Sequence, residues 1–132
     1  MAKFEDYKVG DKFSWGMTIT ETHVVMFAGI TGDFNPLHTN IEYAKNSFFK
    51  GRIAHGLLVE AIMGAAGAHF FQGAYLGHTM KFLAPARIND TITAEMEIIK
   101  IREDKQIITY SNKAVNQEGT VIVEGECTIK FM

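Results

Sequence analysis

Residues 12 to 20 read Lys-Phe-Ser-Trp-Gly-Met-Thr-Ile-Thr, with Phe13, Trp15, Met17 and Ile19 at every second position between smaller or polar neighbours. A period of two is that of a strand with one buried face. Thr20 then offers an N-cap with His23 at the third helical position, Val24, Val25, Phe27, Ala28 and Ile30 follow, and Gly32 ends the segment as a C-terminal glycine does. A helix is expected over about 21 to 31. From Gly32 to about Gly51 the periodicity disappears, and Asn35-Pro36 demands an extended residue followed by a fixed φ. The expectation there is a long loop with one short helical turn near 41 to 45.

Residues 57 to 71 are apolar nearly all round, which predicts a helix enclosed by other structure. The small residues Gly64, Ala65, Ala66, Gly67 and Ala68 would let another backbone come close. The remaining sixty or so residues read as successive strands. In 91 to 101, Ile92, Ala94, Met96 and Ile98 alternate with threonines and glutamates, and 121 to 131 repeats the pattern from Val121 to Phe131. Turn-rich breaks at 102 to 105 and 116 to 119 predict antiparallel pairing as a meander of about four strands. Strand, helix, long loop, buried helix and meander together predict an α+β domain with helices on one face of a curved sheet. No internal repeat is visible.

A chain of 132 residues, 47% hydrophobic and 21% charged, fills one hydrophobic core, so the expectation is a single domain over 1–132. The formal net charge of −2 lacks the basic excess that a phosphate backbone requires, so nucleic acid is not an expected partner. The longest apolar run is interrupted by Glu60 and His69 and is too short to span a bilayer. A single cysteine, Cys127, excludes an internal disulfide framework, and the first residues carry no apolar leader. A cytoplasmic protein, with no membrane association, is expected.

The segment from Thr31 to His38 gathers a carboxylate, an amide and an imidazole within a few positions. Five residues apart, Asp33 and His38 would diverge on a helix and point to opposite faces of a strand, so only a bend unites them. Gly32 and Pro36 supply one. A carboxylate and a neutral imidazole sharing a water can remove one proton from it and deliver another to a nearby carbon, without a metal or cofactor. The other reading of the same residues is local: Asp33 and Asn35 satisfying loop amides while His38 caps a turn. Further on, His55-Gly56 opens the apolar helix, where unpaired N–H groups and the absence of a side chain suit a carbonyl oxygen.

Taken together, Gly32-Asp33-Phe34-Asn35-Pro36-Leu37-His38 followed by His55-Gly56 resembles the MaoC-like, R-specific (type 2) enoyl-CoA hydratases. The likeness runs over nearly the whole chain, through Met80-Lys-Phe-Leu-Ala-Pro85, Asp90 to Ala94, Arg102 to Lys105 and Glu124-Gly-Glu126. It implies a hot-dog fold, in which a central helix is wrapped by the sheet, and a homodimer whose sheets join edge to edge, with further assembly of dimers left open. It also implies reversible hydration of trans-2-enoyl-CoA to the R-3-hydroxyacyl thioester. By position, Asp33 and His38 correspond to the catalytic pair and Asn35 to the residue that orders them. The Gly56 N–H corresponds to the oxyanion donor. His55 and Glu60 are secondary candidates, with no cofactor and no metal. Acyl-CoA is the expected partner, and acyl carrier protein the alternative thioester carrier.

Three departures from the family pattern stand out. Gly64 replaces a serine common near the catalytic carboxylate, Asn89 replaces a turn glycine, and Glu60 puts an ionisable group in an apolar helix, where it must be paired, neutral or wet. Glu60 resembles the helical glutamate of hydroxyacyl-carrier-protein dehydratases; the competing expectation is that it snorkels to an edge or pairs across a dimer interface. A carrier-protein dehydratase, a hot-dog thioesterase and a non-catalytic acyl-CoA-binding domain are the alternative functions. His23, His69 and His78 show no metal-ligand spacing and read as structural. Cys127 faces the core by alternation and reads as an inert thiol, and Lys50, Arg52, Lys81 and Arg87 are candidates for the coenzyme phosphates.

Overall fold

The computed structural model describes residues 2–132. Strand β1 (Lys12–Thr18) leads into helix α1 (Glu21–Thr31), then two short helices, α2 (Pro36–Thr39) and α3 (Ile41–Lys45), and the long helix α4 (Gly56–Phe70). Strands β2 (Gly73–Phe82), β3 (Thr91–Arg102), β4 (Ile107–Val115) and β5 (Val121–Phe131) complete one five-stranded antiparallel sheet in the order β1-β3-β4-β5-β2. Among the described residues no helix is long and apolar enough to cross a membrane.

The local signals operate as expected at α1. The Thr20 N–H donates to His23 Nδ1 at 2.9 Å, closing the helix start, and Gly32 ends it in the left-handed region with φ 81°. His23 is therefore a capping residue. In the meander, Asn116 Oδ1 accepts from the N–H groups of Glu118 and Thr120, so the β4–β5 turn is built from its own side chain. Asn89 takes φ 77°, a left-handed conformation that asparagine tolerates.

Three expectations are corrected. The 32 to 51 segment carries a helical turn at α2 besides the one at α3, because Pro36 sits at its first position and the Asn35 side chain accepts from the Leu37 N–H at 3.0 Å. The meander has three strands, β3, β4 and β5; β2 pairs with the far side of β5, and residues 83 to 90 cross back to β3 beside β1. That crossing is held where Ala54 N–H donates to Ala86 O and Asn89 N–H to Ile19 O, long-range bonds with no signature in periodicity. Third, α4 is covered on one side alone. Leu58, Val59, Ile62, Met63 and Ala66 enter the core with Ile92, Ile98, Ile108 and Tyr110, while Leu57, Ala61, Ala65 and Ala68 stay exposed. One sheet can cover only one face of a helix.

Where the small residues of α4 meet the sheet, they admit side chains rather than a backbone. A Cβ on Gly64 would lie 3.4 Å from the Tyr75 hydroxyl, and one on Gly67 would lie 2.5 Å from that of Tyr110. The two hydroxyls are 3.3 Å apart. Burial raises both phenols above their usual range, and Cys127 beside them is fully buried with its thiol likewise pushed up by burial. Thiol-reactive reagents should modify Cys127 about a hundredfold more slowly in native protein than in denaturant. Comparable rates, read by thiol titration, would contradict its enclosure.

Candidate active site

Asp33 lies just past the left-handed end of α1, and the chain reverses there through Asn35 into α2. The Asn35 N–H donates to Asp33 Oδ1 at 3.2 Å while its side chain caps α2, so one residue sets both the carboxylate and the turn that carries His38. The His38 N–H in turn donates to Asn35 O at 2.8 Å. Asp33 is exposed and His38 is buried. The local reading of this loop and the chemical one are thus compatible: the amides are satisfied and the side chains still converge.

His38 is gripped from the segment before α4. Its Nδ1 lies 2.8 Å from Ile53 O, and a carbonyl can only accept, so the ring donates through Nδ1 and Nε2 is the nitrogen left for other chemistry. Arg52 Nε donates to His38 O at 2.6 Å, and the same guanidinium makes a bidentate pair with Glu21 at the start of α1, at 3.0 and 2.9 Å. Arg52 and Arg87 had both been expected near coenzyme phosphates. Both are engaged instead in holding loops, Arg87 on the carbonyls of Phe49 and Gly51; Lys50 and Lys81 are the exposed cations of the four. Arg52→Met should lower stability by about 2 kcal/mol, since it removes charged hydrogen bonds to α1 and to the loop of His38. An unchanged unfolding midpoint would contradict the clamp.

His55 is 1% exposed and stands immediately before α4. Its Nε2 donates to Asp33 O at 2.9 Å, its ring lies on that of His38 with centroids 3.9 Å apart, and Nδ1 has no hydrogen-bond partner among the described residues. One ligand-type atom from each of Asp33, His38 and His55 falls within a 4.8 Å set, enough to hold a divalent ion as well as a water. Gly56, the first residue of α4, contributes an N–H that no helical carbonyl can reach. An apolar cavity of about 310 Å³ beside it is lined by Phe49, Ile53, Ala54, Phe82 and Ala86 among others. Phe82 closes on Gly56 so tightly that a Cβ there would lie 2.8 Å from the ring.

Glu60, one turn further along α4, pairs with His78 Nε2 on β2. Its partner is therefore in the same chain, not across an interface, because β2 runs back alongside α4 and returns His78 to that level. Sequence spacing gave no hint of the pair, nor of Arg52 behind His38; residues eighteen or fourteen positions apart on different elements share no period.

On an α+β scaffold, a carboxylate and an imidazole, both groups with acid–base capacity, thus stand together near the N-terminus of a helix. Comparison with known proteins narrows the class. Residues 7–122 match the MaoC like domain. The chain is 37% identical over 129 residues to the (R)-specific enoyl-CoA hydratase of Rhodospirillum rubrum, covering 96% of this chain and 89% of that protein. It is 33% identical to the mitochondrial 3-hydroxyacyl-[acyl-carrier-protein] dehydratase FERN of Solanum lycopersicum, over 92% of this chain and 75% of that one. The unliganded R-hydratase PhaJ1 from Pseudomonas aeruginosa superposes with a TM-score of 0.90 at 34% identity, over 97% of this chain and 84% of that chain. The chain belongs to the MaoC-like family, and its fold is the hot-dog fold.

Proposed function

We propose that this protein is an R-specific enoyl-CoA hydratase that adds water across the 2,3 double bond of a trans-2-enoyl-CoA, and eliminates it from the R-3-hydroxyacyl-CoA in reverse. The observation that carries this reading is the convergence of Asp33 and His38 beside the free N–H of Gly56. The thioester carbonyl accepts from Gly56, which draws electron density from the β-carbon and stabilises the charge that develops on oxygen. A water held between Asp33 and His38 Nε2 loses a proton to one of them as its oxygen bonds to the β-carbon. The proton taken from the water is passed on through the pair to the α-carbon, so one water is consumed, the pair ends with the protons it began with, and no redox partner is needed. Asn35 and His55 are positioning residues, through the hydrogen bonds described above.

Similarity to the (R)-specific hydratase supports the stereochemistry and the coenzyme A thioester, and Lys50 and Lys81 are the cations available to its phosphates. A homodimer belongs to the same reading. Among the described residues the outer edge of β2 has no partner strand, and Tyr75 and Leu76 are about half exposed beside it, a face that a second copy would cover. The cytoplasm as compartment agrees with a lone buried thiol.

The test is loss of the conjugated absorbance of crotonyl-CoA on mixing with purified protein, with chiral analysis of the product. R-3-hydroxybutyryl-CoA is the expected product. Release of free thiol would mean a thioesterase, and tight binding without turnover an acyl-CoA-binding protein. Activity confined to carrier-protein thioesters would favour the dehydratase reading, which the likeness to the tomato protein and the presence of Glu60 both recommend as the second choice.

A further inference from the structure

Gly56, Glu60, Gly64 and Gly67 fall at i, i+4, i+8 and i+11 of α4, one above another on the face that meets β2. Three of the four have no side chain, so this face is a furrow floored by backbone. Opposite it, β2 offers Phe82, Met80 and His78 at alternate positions. The bulge between Tyr75 and Gly77 then lets Tyr75 continue the row in place of Leu76. Phe82 stands over Gly56, His78 over Glu60, and the Tyr75 hydroxyl over Gly64. Between the two walls lies a cavity of about 630 Å³, lined by Leu57, Glu60, Ala61, Gly64, His78 and Met80 among others.

Apart from the tyrosine hydroxyl at its far end, the polar side chains in this lining are Glu60 and His78, and they bond to each other across it. The Glu60 side chain is only 16% exposed, and the partner it meets there is His78. Four residues separate it from Gly56, about 6 Å along the axis at 1.5 Å per residue. A four-carbon acyl chain whose carbonyl sits on the Gly56 N–H ends short of that level, and an eight-carbon chain passes it.

We propose that the Glu60–His78 pair is a polar bar across the acyl channel, and that it makes this protein selective for short enoyl thioesters. The inference rests on the hydratase reading for the place of the thioester carbonyl. A chain that ends before the bar buries its methyl group against Leu57 and Met80. A longer one must part the pair and leave the largely enclosed Glu60 without its partner, or lie against it without gaining apolar burial. Four methylenes denied their burial correspond to about 10²-fold in specificity.

The experiment compares kcat/KM for crotonyl-CoA and trans-2-octenoyl-CoA in wild type, Glu60→Gln and Glu60→Ala/His78→Ala. The octenoyl-to-crotonyl ratio should rise at least about tenfold in the double variant, chiefly through the octenoyl KM. Glu60→Gln retains a hydrogen bond to His78 and should move the ratio less than about threefold. An unchanged ratio in the folded double variant, or in His78→Ala alone should the double variant not fold, overturns the proposal. So does loss of crotonyl turnover in folded Glu60→Gln, which would put Glu60 in the chemistry. Calorimetric binding of butyryl-CoA and octanoyl-CoA to the same variants reads the same discrimination without turnover. If wild type hydrates nothing, the hydratase reading fails while the channel is still tested.

Discussion

Asp33→Asn should reduce turnover of crotonyl-CoA by about 10²-fold or more while leaving the unfolding midpoint within about 3 °C of wild type. The change keeps the shape of the side chain and an oxygen able to accept from the Asn35 N–H, so the loop and the α2 turn that depend on that bond persist. What it removes is a group able to take and return a proton. Asp33 is exposed and the amide keeps its one hydrogen bond, so the loss falls on kcat rather than on folding. His38→Gln should fall by a similar factor for a complementary reason. A glutamine amide can still donate to Ile53 O, but it offers no ring nitrogen toward the water. Steady-state rates with crotonyl-CoA, beside a thermal melt of each variant, decide the matter. Near wild-type rates in either would remove that residue from the reaction, and a large drop in the midpoint would make its role structural.

The largest expected effect on stability lies far from these residues, at Gly125→Ala. Gly125 sits in β5 between Met80 of β2 and Asn112 of β4, and a Cβ built there would lie 1.6 Å from Thr79 O and 2.7 Å from its carbonyl carbon. Those are backbone atoms that cannot swing aside, so β2 would have to part from β5. The cost is about 3 kcal/mol or more, which for a domain of this size lowers the unfolding midpoint by about 10 °C. The damage would extend to the site, because β2 carries Phe82 against Gly56 and His78 against Glu60. A midpoint within about 3 °C of wild type would contradict the close approach of β2 to β5 at Gly125.

How much of this was legible beforehand depended on whether the cause was local. The α1 helix was readable at both ends because Thr20, His23 and Gly32 act on their own neighbours. Strands β3 and β5 were readable because alternation is a property of consecutive residues. The α2 turn was missed although its signal, asparagine before proline, lay in plain view; the same Asn35-Pro36 that extends one residue also caps and starts a helix at the next. The apolar circumference of α4 predicted enclosure, and the chain supplies cover on one side only. Hydrophobicity records that a face is to be buried, not by what.

For the site, the amino-acid order determined which groups with acid–base capacity stand near a bend, and that a glycine opens the long helix. It also carried the family resemblance that the comparisons bear out. Only the tertiary structure decided what each side chain touches. It turned Arg52 from a phosphate candidate into the clamp behind His38, set His55 against both Asp33 O and the His38 ring, and gave Glu60 its partner on β2. The physical reason is that periodicity and turn chemistry act over a few residues. Glu60 meets His78 because β2 returns along α4, and Arg52 and His55 reach their partners because residues 52 to 55 fold back against residues 33 to 38; no local pattern encodes either approach.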